Sequence, residues 1–321
     1  MKRTFFDKIP TAAILILLSG LFWQGCSKVS GSSTVNSTTS TITDFLKAGT
    51  NTTLFYKAVT RTGLDSILAQ AGPYTFFVVP DNVLIAYGIN DSVISNYPDS
   101  LLRNLILYHT LAGQAILSSN FSPNPNSPVV MANGDSVFTS LIGSNFFVNG
   151  WQVTSRDVLA SNGFIDVLSH VLMPATGTIL QTLQSDSSYS LLLAAIIHAS
   201  QGSTNVDSIL SGPGPFTVFA PVNSAFNAAG YQSANDINNA NPDTLANLLL
   251  YHVLARRYFT SDMIIGDTPV TLIDSSFTVT GPSNNTWQIQ GKLNTAPSNI
   301  LSQNVMAQNG VLQVIDQLLL P

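Results

Sequence analysis

The side chains of this chain that could carry acid–base or metal chemistry are one cysteine, four histidines and 17 acidic residues, all of them aspartate. The absence of glutamate excludes any mechanism or metal site that needs a glutamate carboxylate. No two histidines have the four-residue separation that places both imidazoles on one helix face to bind zinc, and no C-x-x-C motif supplies thiolates. The four histidines are His109, His170, His198 and His252. We therefore expect neither a metal site nor a cofactor.

Aspartate pairs are the remaining candidates for catalysis, because two carboxylates about 5–10 Å apart can cleave a glycosidic bond. Nothing in the spacing of the aspartates selects a pair. Asp157 and Asp166 have no acidic counterparts in the second half of the chain, where Asn304 and Gln313 stand. The G-x-S-x-G, phosphate-loop and G-x-G-x-x-G motifs are also absent. The sequence therefore predicts a protein that is not an enzyme.

Cys26, the only cysteine, follows an apolar stretch at residues 12–23 that is itself preceded by a basic N-terminus. This layout is typical of a secretory signal, and it is shorter than the about 20 apolar residues of a membrane-spanning helix. A lone cysteine after a small residue resembles the bacterial lipobox, in which the thiol is acylated and becomes the mature N-terminus. Trp23 departs from the aliphatic residue that is usual there. We expect a signal peptide at residues 1–25, with the lipidated Cys26 beginning a flexible Ser/Thr-rich tether at residues 26–41.

The expected partners of the chain follow from this anchor and from its charge. Acyl chains on Cys26 would hold the protein to a membrane without crossing it. The alternative is an ordinary signal cut that leaves a free thiol. Ser27 and Lys28 favour a bacterial outer membrane and leave the periplasmic and surface faces both open. A net charge of −5 with scattered lysines and arginines provides no basic face for phosphate backbones, so we expect no nucleic-acid partner.

Six aspartates are followed by a hydroxyl residue and then by an aliphatic residue. These triplets resemble the D-[S/T]-aliphatic O-glycosylation sequon of Bacteroidetes. Helix capping is the alternative explanation, because aspartate is a good N-cap before an apolar run. The candidate glycosylated residues are Ser66, Ser92, Ser100, Ser136, Ser208 and Thr244.

The elements that must position these residues occur twice along the chain. Three pairs of segments align in the same order: residues 74–82 with 216–223, 105–109 with 248–252, and 162–168 with 309–315. Such ordered self-similarity indicates two copies of one domain. We predict domain 1 at residues 42–175 and domain 2 at residues 176–321.

Each copy begins with apolar helical segments and continues with strands. A short strand rich in aromatic and β-branched residues is stopped by Pro80 or Pro221, because proline cannot donate a ladder hydrogen bond. We expect Asp99 and Asp243 to be the N-caps of the next helix in their copies. Helices followed by a sheet, without regular βαβ alternation, indicate an α+β fold.

An Asn-Gly dipeptide precedes the last strand of each copy, at Asn162-Gly163 and Asn309-Gly310. Asn-Gly favours a type I′ turn, because both central residues of that turn have positive φ. We therefore predict a two-residue hairpin turn at each dipeptide.

The repeated blocks resemble the fasciclin-like (FAS1) domain, present here in tandem. The resemblance rests on the F-T-V-F-A-P-x-N-x-A-F block at Phe216–Phe226, on a Tyr-His pair after a Leu-rich helix, and on the closing N-G segment that leads to a proline. It covers about residues 42–321, and copy one is more divergent, with Leu84 at the position of Phe226. The resemblance implies an α+β fold in which a β-wedge packs against helices. It also implies a role in adhesion, without catalysis.

The Tyr-His pair occurs once in each copy, as Tyr108-His109 and Tyr251-His252. In some animal relatives this region has been implicated in receptor contact, so the four residues are candidates for interaction. The alternative, which we favour, is that tyrosine and histidine end a buried helix and bond to backbone groups. Both explanations predict the pair in both copies, so the repeat does not separate them.

These observations together lead us to expect a non-catalytic, lipid-anchored protein of the cell envelope that mediates adhesion or binds a surface glycan or protein. The alternatives are a carbohydrate-active or accessory component of an envelope complex and a purely structural spacer. Exposed segments outside the shared core are the candidate binding surfaces. They are the loop at residues 121–128, with three prolines, and the Asn-rich segment at residues 235–242.

Overall fold

The computed structural model of the protein describes residues 39–283 and 286–321. The predicted signal peptide, Cys26 and most of the tether lie outside the described residues. Among the described helices, none is long and apolar enough to cross a bilayer. Below, domain 1 denotes the described elements up to residue 175, and domain 2 denotes those that follow.

Domain 1 begins with helices and ends with strands, as the pattern predicts. Its helices are α1 (Ile42–Ala48), α2 (Thr53–Arg61), α3 (Asp65–Leu68), α4 (Asp81–Ala86), α5 (Asp91–Asn96) and α6 (Asp99–Tyr108). Its strands are β1 (Tyr74–Val78), β2 (Thr110–Ala112), β3 (Ser127–Val130), β4 (Ser136–Ile142), β5 (Asn145–Val148), β6 (Trp151–Ala160) and β7 (Gly163–Leu168). The strands form one sheet in the order β2-β1-β7-β6-β5-β4-β3.

Domain 2 repeats this plan. Its helices are α7 (Ile179–Gln184), α8 (Ser190–Ala199), α9 (Val206–Ser211), α10 (Asn223–Ala228), α11 (Ala234–Asn238) and α12 (Pro242–Leu250). Its strands are β8 (Phe216–Pro221), β9 (Val253–Leu254), β10 (Thr278–Ser283), β11 (Thr286–Gln290), β12 (Ser298–Ala307) and β13 (Gly310–Ile315). The sheet order is β9-β8-β13-β12-β11-β10, which matches domain 1 from β2 to β4.

The first and last strands of each domain lie side by side in parallel. Tyr74 in β1 is opposite Gly163 in β7, and Phe216 in β8 is opposite Gly310 in β13. The other neighbouring strands are antiparallel. The chain therefore returns to its first strand only at the end of each domain, which explains why the closing N-G block is part of the repeated pattern.

The hairpin before the last strand forms where it was predicted, but its turn differs. Ala160 pairs with Gly163 across the hairpin, so the two turn residues are Ser161 and Asn162. Neither has a positive φ, so the prediction of a type I′ turn at Asn162-Gly163 is wrong. The same correction holds in domain 2, where Ala307 pairs with Gly310.

The glycine of the dipeptide is required by a close approach of backbones. A Cβ atom on Gly163 would lie 1.9 Å from the carbonyl oxygen of Tyr74 in the parallel strand. At Gly310 the distance to the Phe216 carbonyl oxygen would be 2.3 Å. A side chain at either position would push apart the parallel pair that closes the domain.

The asparagine of the dipeptide joins the helices to the sheet. The Asn162 side chain accepts from the backbone N–H of Ile42 at 3.0 Å and donates to the carbonyls of Leu68 and Gln70. Asn309 makes the matching contacts in domain 2, to Ile179, Leu210 and Gly212. Each asparagine therefore connects the first helix of its domain, the segment before the first strand and the last hairpin.

The N-caps of α6 and α12 differ from the prediction. The caps are Pro98 and Asn241, and the Asn241 side chain accepts from the N–H of Thr244 at 3.0 Å. The assignment of Asp99 and Asp243 as N-caps is therefore wrong. Both aspartates lie inside the first turn, where a carboxylate is still stabilised by the positive end of the helix dipole.

The core of domain 1 is one cluster of buried side chains from helices and strands, whereas that of domain 2 is divided into two clusters, to which alternate residues of β8 contribute. In domain 1, Phe55 of α2 packs edge-on against Phe76 of β1, with ring centroids 5.6 Å apart. In domain 2, Phe219 of β8 packs edge-on against Phe277, which lies in the strand half of the domain. All four rings are buried. Burial of a large apolar side chain contributes about 1.5–3 kcal/mol, so these rings hold each domain together without a disulfide.

Candidate functional site

Tyr108 ends α6 with its ring buried and its hydroxyl hydrogen-bonded. The hydroxyl donates to the carbonyl of Ser136 at 3.0 Å and accepts from the Asn149 side chain at 3.0 Å. In domain 2 the Tyr251 hydroxyl donates to the carbonyl of Ser276 at 2.6 Å. Each tyrosine therefore connects the end of its helix to the strand half of its domain.

His109 and His252 connect the same helix ends to the last segment of each domain. The Nδ1 of His109 lies 2.8 Å from the Leu105 carbonyl, so this nitrogen carries the proton and donates. The Nε2 then accepts from the backbone N–H of Leu172 at 3.1 Å. His252 is held in the same way, by Leu248 and Leu319. Burial lowers the pKa of both imidazoles to about 4, so both are neutral at pH 7.

The four Tyr-His side chains are at most 2% exposed. Their hydrogen-bonding groups already have backbone or side-chain partners within the domain. The structure thus provides a packing role for these residues, and their role in binding a partner stays a prediction. A partner would contact the surrounding surface before it could reach any of these rings.

The sequon hydroxyls lie mostly at the surface. Five of the six are exposed, whereas Ser136 at the start of β4 is partly buried. The exposed five are in the first turns of helices, at Ser66, Ser92, Ser100, Ser208 and Thr244. Their position allows modification without unfolding, and glycosylation itself stays a prediction.

Asp157 and Asp166, which have no acidic counterparts in domain 2, lie side by side on β6 and β7. Asp166 Oδ1 accepts from the backbone N–H of Asp157 at 2.8 Å, and the Asp157 carboxylate accepts from the N–H and hydroxyl of Ser118. Asp166 is fully buried, and burial raises its pKa to about 7. Because Asp166 presents no surface to solvent, this pair does not form an accessible dyad for glycoside cleavage.

The predicted binding loop at residues 121–128 contacts other parts of the molecule. Phe121 is buried and stacks on Phe146, with ring centroids 4.9 Å apart. The Asn126 side chain donates to Asp262 Oδ2 of domain 2 at 2.8 Å. The loop therefore contributes to the contact between the domains. The Asn-rich segment at residues 235–242 includes most of α11 and the start of α12, with its asparagines exposed.

Arg257 is the principal cation of this domain–domain contact. Its guanidinium lies over the ring of Phe138 in domain 1, 4.1 Å from the ring centroid. It also donates to the carbonyls of Gln308 and Gly310 around the last hairpin of domain 2. Burial lowers the pKa of Arg257 to about 10, which leaves it charged at neutral pH. Phe138 in turn lies 6.3 Å from the ring of Phe259.

A cleft of about 370 Å³ lies beside this contact, between the segment at residues 170–174, after β7 of domain 1, and β12 of domain 2. Its domain 1 wall carries three rings. Trp151 and His170 are parallel, with centroids 3.8 Å apart and planes inclined by 10°. Tyr87 meets His170 edge-on at 5.0 Å and is 46% exposed. The opposite wall is β12 from Leu301 to Met306.

The lining of the cleft carries no charged side chain. His170 is neutral at pH 7, because burial lowers its pKa. On the opposite wall the side chains of Ser302 and Gln303 are not hydrogen-bonded to other described residues, whereas Asn304 is bonded to Thr260. The cleft therefore combines an aromatic wall with unengaged hydroxyl and amide groups.

The residues that line the cleft were not among those predicted from the sequence. The residues at the positions of Trp151 and His170 in domain 2 are Ser298 and Gln317, so the rings are exceptions to the repeat. Rings present in only one copy are not needed by the shared fold. That difference between the copies is the signal in the sequence that could have identified them.

Comparison with known families and proteins gives consistent matches. The fasciclin domain matches this chain twice, at residues 50–174 and 192–321. The pig transforming growth factor-beta-induced protein ig-h3 is 26% identical over 276 residues, which are 85% of this chain and 38% of that protein. Human stabilin-1 is 24% identical, with 81% of this chain and 10% of that protein covered. The chain thus spans well under half the length of these two relatives.

A shorter relative is protein sll1483 of Synechocystis, which is 28% identical over 57% of this chain and 94% of its own length. A solved FAS1 domain pair from the insect cell adhesion molecule fasciclin I aligns with a TM-score of 0.41 and 20% identity. That alignment covers 83% of this chain and 96% of the insect domain pair.

Proposed function

The chain belongs to the fasciclin domain family, in two copies, and from this premise we propose that it is a non-catalytic adhesion protein of the cell envelope that binds a glycan or protein partner. We further propose that acyl chains on Cys26 anchor it to the outer membrane. Family membership and the signal-like N-terminus support the proposal.

The observation that carries the binding function is the arrangement of the two domains. The Asn126–Asp262 hydrogen bond and the Arg257–Phe138 contact join them into one body, and an uncharged, ring-lined cleft opens beside the joint. Such a cleft needs both copies, because each wall comes from a different domain. A tandem pair can thus present a binding surface that neither domain has alone.

The anchor is tested by metabolic labelling with an alkyne fatty acid. We expect the wild-type protein to carry the label and to sediment with membranes, and the Cys26→Ser variant to lose the label. A Ser27→Ala variant should behave as the wild type. An unlabelled wild-type protein would remove the anchor from the proposal, and protease treatment of intact cells would then locate the exported protein.

The adhesion function is tested in cells that lack the gene. Reintroduction of the wild-type chain should restore attachment to a glycan-coated or cell-coated surface. Exchange of residues 42–321 for an unrelated tandem domain on the same anchor should not restore it. Equal attachment with both proteins would show that the chain acts only as a spacer.

Glycosylation at the six sequons is part of the same proposal, because it requires export. Intact-mass measurement of the native protein should show glycan additions beyond the lipid. Replacement of all six hydroxyl residues by alanine should remove the additions. A native mass explained by lipid alone would contradict this part of the proposal.

A further inference from the structure

We propose that the cleft between the domains, formed by the three rings of domain 1 and by β12 of domain 2, is a binding site for a neutral saccharide. This inference rests on the proposed binding function and names its ligand class and its site.

The rings provide the flat apolar surface that a sugar ring requires. Trp151 and His170 are stacked at 3.8 Å, so each ring covers one face of the other and both planes are fixed. The surface left for a ligand is the outer side of this stack together with the Tyr87 ring, which meets His170 edge-on and is 46% exposed. The C–H face of a pyranose can pack against such a surface, while its hydroxyls remain free for hydrogen bonds at the edge. Aromatic walls with a few placed polar groups are the usual composition of small-molecule sites.

The absence of charged side chains from the lining of the cleft favours a neutral ligand. An anionic saccharide is normally held by arginine or lysine, and neither lines the cleft. His170 adds no positive charge at pH 7. Arg257, the nearby cation of the domain contact, is engaged with backbone carbonyls and with the Phe138 ring.

The polar groups of the opposite wall match sugar hydroxyls. The Gln303 amide can donate and accept, and the Ser302 hydroxyl can do both as well. Neither is used by the fold, whereas the Asn149 and Asn304 side chains are engaged by the fold. A ligand would therefore find free hydrogen-bonding groups facing the rings across the cleft.

The walls of the cleft are preformed. Gly150, next to Trp151, lies so close to domain 2 that a Cβ atom on it would be 2.6 Å from Phe259 Cβ. This close approach and the Asn126–Asp262 bond limit relative motion of the walls. A pre-ordered site loses less entropy on binding than a mobile one. A volume of about 370 Å³ lies within the range of small-molecule sites, which supports a short saccharide segment as the occupant.

The test uses the full-length chain in detergent, with maltohexaose, cellohexaose and chitohexaose as neutral probes and a heparin hexasaccharide as the anionic one. We expect calorimetry to detect binding of at least one neutral probe and weaker or no binding of the heparin probe. Trp151→Ala should lower the affinity about tenfold, because an aromatic stacking platform is lost. Trp151→Phe should retain most of it.

A matched pair of surface variants distinguishes a loss of binding from misfolding. Ser302 on β12 and Ser155 on β6 are exposed and occupy the same position of the two domains. Ser302→Arg would fill the cleft and should lower the affinity at least about tenfold, whereas Ser155→Arg should leave it within about twofold of the wild type. Thermal unfolding of both variants checks that they fold.

Three outcomes would overturn the inference. If no neutral probe binds while attachment in cells persists, the saccharide is rejected and the adhesion function stands. If the Ser302→Arg and Ser155→Arg proteins bind equally well, the glycan site lies elsewhere. If a peptide library yields ligands whose binding Ser302→Arg abolishes, the cleft binds protein.

Discussion

Asp166 and Gln313 occupy the same position in the two domains, yet only Asp166 can ionise. Gln313 Nε2 donates to the Tyr258 carbonyl and to Asn304 Oδ1, both at 3.0 Å. The matching atom of domain 1, Asp166 Oδ2, is buried and has no hydrogen-bond partner among the described residues. A proton on this oxygen would supply the donor that the amide supplies in domain 2, so the neutral acid fits the site better than the carboxylate.

The first prediction concerns the pH dependence of domain 1. Burial raises the pKa of Asp166 from 3.8 to about 7, so the folded state binds this proton more tightly than the unfolded state. The stabilisation is complete below about pH 4 and is lost as the pH rises through about 7. Asp166→Asn should remove this loss and should be more stable than the wild type at pH 8, by about 1–3 kcal/mol.

The measurement is denaturant unfolding of both proteins from pH 4 to pH 8, compared as a difference at each pH. The difference is needed because His109 and His252 have lowered pKa values, so they stabilise the fold above pH 6.5 and destabilise it as the pH falls towards 4. Gln313→Glu is the matched control. It should make the free energy of unfolding of domain 2 fall with rising pH, as Asp166 does for domain 1. A constant difference between wild type and Asp166→Asn would disprove the protonated-acid assignment.

At the scale of the secondary-structure elements, the last hairpin of each domain connects the helices to the sheet. Asn162 bonds to three backbone groups, one each from the start of α1, the end of α3 and the segment after α3, and Gly163 allows β7 to lie against β1. The hairpin therefore closes each domain by joining its start to its end. The preference of Asn-Gly for a type I′ turn does not explain why this dipeptide occurs here, since its backbone does not adopt that turn.

The second prediction is that Asn162→Ala destabilises domain 1 by about 2–4 kcal/mol, because buried donors and acceptors lose their partners. Asn309→Ala should cost domain 2 a similar amount, since it makes the same three contacts. Calorimetric melting of each variant measures the effect. Asn96→Ala, which removes an exposed side chain, is the control. A change below about 0.5 kcal/mol would contradict the role of Asn162.

At the scale of the whole molecule, the contact between the domains decides whether they behave as one body. The side chains that make this contact include Asn126 and Phe138 from domain 1, and Arg257, Phe259 and Asp262 from domain 2. Polar contacts of this kind are typical of interfaces between domains of one chain. The cleft exists only while this contact holds.

The third prediction is that Phe138→Ala separates the unfolding of the two domains. Loss of the ring removes both the cation–π contact and the Phe259 contact, so the coupling between the domains should weaken. Calorimetry should show a second, separate transition, and small-angle scattering should show a larger radius of gyration. Phe147→Ala, on the neighbouring strand β5, is the control. An unchanged single transition would show that other contacts hold the domains together.

The sequence by itself determined the duplicated α+β domain, because hydrophobic period, proline stops and the three repeated blocks are local features that survive duplication. It also identified the hairpins, although not their turn type or the caps at Pro98 and Asn241. The Asn241 cap is itself a local feature, since asparagine followed by proline is a typical N-cap and first helical residue, and the expectation placed the cap two residues too late. The burial of His109 and His252, by contrast, is a property of the packed helix end.

Only the tertiary structure decided where a ligand could bind. Tyr87, Trp151 and His170 are far apart in the sequence, and the opposite wall begins at Leu301 in the other domain. No local pattern relates residues so distant, because the fold of domain 1 brings the three rings together and the packing of the two domains adds the opposite wall. The same holds for Asp166, whose pKa is raised by burial in the packed domain. The sequence determines the helices and strands of each domain, whereas packing sets the distances and the dielectric surroundings on which binding and ionisation depend.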